Sequence, residues 1–169
     1  MALATQVNKS SPTNFELVFP LIPRAAGFKD NDELTLNIFS TIIPSLTLET
    51  GIDDWMGTKR TKATGKAEWE QWNVNFLVDS EFKNWQLLFK WIMYINNSKD
   101  KFSEDYKNYT VDATLRIIDN FHNETLKIFF VDVWPNMLGE VSLSQREGES
   151  LLEFQAAFLY NRFEIRAIE

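Results

Sequence analysis

The stretch Glu68-Trp-Glu-Gln-Trp-Asn-Val-Asn-Phe-Leu-Val-Asp-Ser-Glu-Phe-Lys-Asn-Trp-Gln-Leu-Leu-Phe-Lys-Trp-Ile92 changes its apolar period in the middle, and that change decides the fold. Trp72, Val74, Phe76 and Val78 alternate with Gln71, Asn73 and Asn75, the period of a strand with one buried face. Asp79 and Ser80 then offer capping side chains, after which Phe82, Trp85, Phe89, Ile92 and Met93 recur at three- and four-residue spacing. A strand running into one helix, near residues 81–96, is therefore expected.

Working outward, the other segments read as strands. Phe15, Leu17 and Phe19 alternate before Pro20 and Pro23. Leu34, Leu36 and Ile38 repeat the pattern, and after Pro44 it resumes at Leu46 and Leu48, suggesting two neighbouring strands. Val111, Ala113, Leu115 and Ile117 form one face of a further strand. Leu126, Ile128 and Phe130 share one face of the next while Phe129, Val131 and Val133 share the other, so that strand is expected to be covered on both sides. Pro135 and Gly139 bracket a turn, and a last long strand runs from Leu151 to Ile165 with Leu152, Phe154, Ala156, Phe158 and Tyr160 on one face. The expected fold is mainly β (α+β): an antiparallel β-sandwich or open barrel of about seven strands with one helix.

With 169 residues and no Pro/Gly/Ser linker or repeat, residues 1–169 are read as a single domain with a flexible N-terminal arm, residues 1–12. Alternation vanishes between Gly51 and Gly65, so residues 51–66 are read as a long exposed loop or protruding hairpin. That segment carries Lys59, Arg60, Lys62 and Lys66 together with the oddly placed Trp55 and Met56. Trp with Arg is a pairing enriched at interface hot spots, so this loop is the candidate subunit interface; a solvated loop face is the plainer reading.

Composition narrows the function. The absence of cysteine excludes a disulfide framework and a thiolate metal site. A net charge of −7 argues against a mainly electrostatic nucleic-acid binder. The densest apolar run, Trp85 to Ile95, is too short and too interrupted to span a bilayer, which points to a soluble chain with no membrane segment. Fourteen Phe, six Trp and four Tyr exceed what one small core comfortably hides, so some should face a partner.

No catalytic constellation emerges. The only histidine, His122, lies in the turn Asp119 to Asn123. Asp30, Asp32 and Glu33 lack the glycine and closing glutamate of a calcium loop. Asp53 with Asp54, or Glu68 with Glu70, could serve as a carboxylate pair, but exposed charged turns explain them equally. The segment from Gly57 to Lys66 lacks the phosphate-loop spacing. Neither cofactor nor metal is expected, and the chain is not expected to be an enzyme.

Two segments carry a resemblance. Glu68 to Ile92, with Trp72, Phe76, Trp85 and Trp91, is similar to the strand-then-helix signature of the tail-tube proteins of contractile-tailed bacteriophages (myoviruses). Val133 to Arg162 resembles that family's closing pattern, carried by Trp134, Pro135, Gly139, Glu140, Glu153, Phe154 and Tyr160. The resemblance implies a structural virion protein, assembled in the host cytoplasm into hexameric rings that stack into the inner tail tube. Its implied partners are further copies of itself, the tail sheath, and baseplate and tube-terminator proteins, with DNA crossing the lumen without sequence-specific binding. A tube initiator or terminator, a baseplate component, or the tube of an injection or secretion machine is the alternative. An enzyme with Trp55 as a sugar platform, or a monomeric binding module, is the competing class.

Overall fold

The computed structural model describes residues 14–19, 37–97, 107, 109–144 and 151–166. The expected N-terminal arm, the acidic residues 30, 32 and 33, the prolines at 20 and 23, and most of the charged loop between residues 99 and 108 lie outside the described residues. Among them are nine strands and one helix: β1 Phe15–Val18, β2 Ile38–Thr41, β3 Leu46–Trp55, β4 Thr58–Trp69, β5 Trp72–Leu77, α1 Lys83–Asn97, β6 Val111–Ile118, β7 Glu124–Leu138, β8 Glu153–Leu159 and β9 Arg162–Arg166. All pairings are antiparallel. Seven strands form one continuous sheet in the order β1-β6-β7-β8-β5-β2, with β9 also on β7, and β3 and β4 form a separate ribbon. The mainly β reading with one helix holds.

Strand β7 turns that sheet into two layers. Its first part, up to Val133, pairs with β6 and β9, and Trp134 to Leu138 pair with β8. Between them Asp132 takes a left-handed conformation, φ 57°, where the register against β6 slips. Its amide donates to Asp112 Oδ1 at 3.1 Å, and its own Oδ2 accepts from Asn161 Nδ2 at 2.7 Å. This extra residue is a bulge, which bends the strand. It also corrects the face assignment: Val133 does not join Phe129 and Val131 but is buried on the same side as Phe130.

Folded over in this way, the two halves of the sheet enclose one core. Trp72, Val74, Phe76, Phe154 and Phe158 meet Leu17, Leu115, Ile128 and Phe130. The centre is the stack of Trp72 on Phe130, with centroids 4.1 Å apart and planes 7° from parallel. Trp72 Nε1 donates to Thr41 Oγ1 at 2.9 Å, satisfying the indole without breaking the apolar layer.

The helix closes this core with a face other than the expected one. Leu87, Leu88 and Trp91 are buried together with Asn84, whereas Phe89 and Met93 are exposed and Trp85 stacks on Phe89 at 5.6 Å. Trp91 Nε1 donates to the carbonyl of Tyr109 at 2.8 Å. The capping expected of Asp79 and Ser80 is taken over by Asn84. Its Oδ1 accepts from the Trp85 amide at 2.8 Å, and its Nδ2 donates to the Leu77 carbonyl at 2.6 Å, tying the first turn to β5.

Three further expectations are corrected. The segments around Ile38 and Leu46 are not neighbours, because β2 pairs with β5 and β3 with β4. Pro135 is not in a turn but in β7 opposite Phe158, on the stretch whose other edge pairs with no strand among the described residues, where a missing amide hydrogen costs nothing. The last strand is two, since Tyr160 and Asn161 interrupt it before β9.

Tyr160 sits at that interruption, its hydroxyl donating to the Glu70 carbonyl at 2.8 Å. Burial pushes its phenol up to about 12, with the Glu70 carboxylate adding to the effect. An unfolded tyrosine titrates near 10, so the folded state favours the protonated phenol. That stabilisation is complete below pH about 10 and is lost as pH rises toward 12. Urea midpoints measured across this window should fall more steeply for the wild type than for Tyr160→Phe; parallel curves would refute the linkage.

Candidate assembly interface

Residues 51–66 form the protruding hairpin rather than the loop. Strands β3 and β4 pair from Leu46 opposite Trp69 to Trp55 opposite Thr58. Met56 and Gly57 make the two-residue connection, with φ 49° and 79°. Both signs are positive, as a hairpin turn matched to the twist of its strands requires, and glycine supplies one without strain. Near the base, β4 carries extra residues around Gly65, φ 84°, where Thr64 Oγ1 donates to the Glu49 carbonyl at 2.8 Å. Every ribbon residue is exposed except Gly51 and Trp69, which are half-buried. Trp69 anchors the base through its edge contact with Phe163 at 4.8 Å.

The pairing sorts the expected interface residues. Trp55 and Met56 occupy the tip, 53% and 89% exposed. Arg60 reaches over the Trp55 ring at 5.6 Å, and Lys62 forms an ion pair with Asp53 on the same face. Lys59, opposite Asp54, belongs to the other face, and Lys66 lies back beside Gly65. The basic cluster is thus not one patch: Arg60 and Lys62 accompany Trp55, and Lys59 and Lys66 stand apart.

The face that Lys59 shares was missed by the sequence reading. By register it holds Leu46, Leu48 and Ile52 with Ala63 and Ala67, and the first three are 50%, 53% and 71% exposed. The alternation Leu46, Leu48, Thr50, Ile52 is the signal for it, and it continues through Gly51. Ile42 and Ile43 extend the apolar track toward β2. An exposed apolar track of this kind is a candidate interaction surface.

The signature residues fall into two groups. Trp72, Phe76, Trp91, Phe154 and Tyr160 are core, Pro135 is buried within β7, and Trp85 and Trp134 are half-buried. Gly139 is there for close approach. Its amide donates to the Gln155 carbonyl at 2.7 Å, and a Cβ would stand 2.6 Å from that same oxygen. Gly139→Ala should therefore force β7 and β8 apart at a cost of about 1–3 kcal/mol, seen as a lower thermal midpoint. A midpoint unchanged from wild type would show that the contact yields freely. Glu140, next to it, is exposed.

Chemistry does not converge elsewhere. Among the described residues no group of three His, Asp or Glu could hold a metal, and no helix is long and apolar enough to cross a membrane. Asp53 and Asp54 are successive strand residues on opposite faces. His122 lies exposed in a tight turn at φ 63°.

The described residues thus form a folded-over β-sheet that projects an exposed two-stranded ribbon. Residues 10–166 match the phage tail tube protein family, and the chain belongs to it, as a component of the virion tail. The chain is 27% identical to the tail tube terminator protein of Enterobacteria phage T4, over 97% of this chain and 93% of that one. In fold it is similar to a chain of the tube-terminating cap of the anti-feeding prophage, with a TM-score of 0.70 and 13% identity, covering 99% of this chain and 100% of that one. It is also similar to a chain of the sheath-tube complex of the PVC extracellular contractile injection system, with a TM-score of 0.68, 13% identity and the same coverage.

Proposed function

We propose that this chain is a tail tube terminator: copies join head to tail into a ring, of six subunits, that ends the tube instead of extending it. The observation that carries this reading is the likeness to the T4 tail tube terminator along nearly the whole chain. It favours the alternative held in the sequence reading over the main tube subunit, while the fold itself suits both. Among the described residues, strands β1 and β2 are the open edges of the sheet. Such edges favour pairing with another chain, and a closed ring leaves none exposed. The role is structural rather than catalytic.

In such a ring the ribbon reaches a neighbouring copy, with Trp55 and Met56 as anchor and Lys59, Arg60, Lys62 and Lys66 meeting acidic surface. The tube, the sheath and the components at the end of the tail are the other partners, and a baseplate position is the variant of the same role. Six chains of net charge −7 give a net-negative ring, and where that excess reaches the lumen it repels phosphate, so that DNA passes through unbound.

Negative-stain microscopy with sedimentation velocity on the purified chain across a concentration series tests this. Rings that do not elongate alone, and that stop growth when added to tubes of a main tube protein, are expected. Long tubes of this chain alone would return it to the main-tube reading, and a monomer at every concentration would overturn the ring.

A further inference from the structure

The outward face of β2, β5 and β8 carries a groove of about 360 Å³ lined by Phe39, Asn75, Glu140, Glu153, Phe154 and Gln155. Phe39, on the edge strand β2, is 40% exposed and gives the groove an apolar wall. Glu140 and Glu153 are both exposed, and neither has an ion-pair partner among the described residues. The backbone press of Gly139 on Gln155 holds the Glu140 segment beside β8. The groove therefore combines an aromatic wall with two uncompensated negative charges.

The tip of the ribbon has the opposite character. Trp55 and Met56 are apolar and bare, and of the nearby cations only Lys62 has a carboxylate partner among the described residues, leaving Lys59 and Arg60 without one. We infer that the ribbon tip of one copy seats in the Phe39–Glu140–Glu153 groove of another, Trp55 and Met56 against Phe39, with Arg60 on the Trp55 face and Lys59 on the opposite face of the inserted tip each meeting one of the two glutamates. The occupant is a second copy rather than the same chain. At about 3.3 Å per residue, β3 carries the tip on the order of 30 Å from its base. The groove lies on the side of that base, Phe39 being seven residues before Leu46 at the start of β3. Tip and groove are different surfaces, so the contact is heterologous and propagates head to tail.

This inference rests on the ring reading and names its contact. Two double variants test it by sedimentation velocity: Glu140→Lys with Glu153→Lys, and Lys59→Glu with Arg60→Glu, all at exposed positions and each checked for wild-type circular dichroism. Each alone should associate at least about tenfold more weakly than wild type, through like-charge juxtaposition. Mixed in equal amounts they should recover association to within about threefold, because each tip then meets a groove of opposite sign in an alternating ring. Rings from either variant alone at wild-type strength, or a mixture no better than its components, would overturn the contact while leaving the ring standing. A wild type that forms no ring would end both.

Discussion

Trp72→Ala is expected to remove about 3–5 kcal/mol of folding stability, the range for deleting a fully buried aromatic side chain. Trp72 is fully buried and contacts both halves of the fold: Phe130 on one side at 4.1 Å, with Phe19 at 6.0 Å and Phe158 at 5.8 Å around it. Alanine leaves a cavity that the surrounding rings cannot fill without tilting out of their stacks, and it removes the indole N–H that donates to the Thr41 hydroxyl, which keeps only its own bond to the Asn73 carbonyl. Against a typical stability of about 5–15 kcal/mol, that is a large share. Urea unfolding followed by circular dichroism should show a much lower midpoint with an unchanged slope. Trp85→Ala is the control: Trp85 is half-buried and stacks on an exposed Phe89, so it should cost clearly less. Equal losses would mean that the two-layer core is not where the stability lies.

Trp55→Ala should have the largest effect on assembly and almost none on folding. The ring is 53% exposed and lies under Arg60 of the same ribbon, so unfolding of the monomer should shift by no more than about 0.5 kcal/mol. As a buried anchor between copies, the same side chain would carry about 2–4 kcal/mol per contact, roughly thirtyfold or more in association. Because every subunit of a ring repeats the contact, ring yield at a fixed concentration should collapse. Rings forming at wild-type concentration would show that Trp55 is not the anchor.

The strand-to-helix stretch was legible because burial imposes period on sequence: Trp72, Val74 and Phe76 face a core, and their alternation records it. The helix was legible in existence but not in orientation. The three- and four-residue spacing selected Phe82, Trp85, Phe89, Ile92 and Met93, whereas the buried stripe is Leu87, Leu88 and Trp91 with an asparagine at its head. Asn84 is buried because its amide is shared between the helix start and the Leu77 carbonyl, a hydrogen-bonding circumstance that hydropathy reads as exposure. The ribbon strands were hard to read because water meets both faces, so nothing obliges residues 51–66 to alternate cleanly.

In β7 the face assignment failed at one residue. Alternation presumes an unbroken pleat, and the left-handed Asp132 inserts a half-step that moves Val133 across. The family was readable from the Trp-Pro and Gly-Glu pairs together with the tryptophan strand, and Gly139 shows the physical ground for one of them. Main tube against terminator was not readable, because that difference concerns which partner a surface binds, and a period in the sequence records only that a face is apolar.

The continuity of β7 through both layers has a mechanical consequence. Its fifteen residues are one covalent tie whose hydrogen bonds run to β6 and β9 over one part and to β8 over the other. A pull along its axis loads these bonds in shear and in both layers together, so no layer can peel away while the other holds. A subunit built on such a tie yields as a unit, and strain arriving at the ribbon side of a tail is passed across the domain instead of opening it.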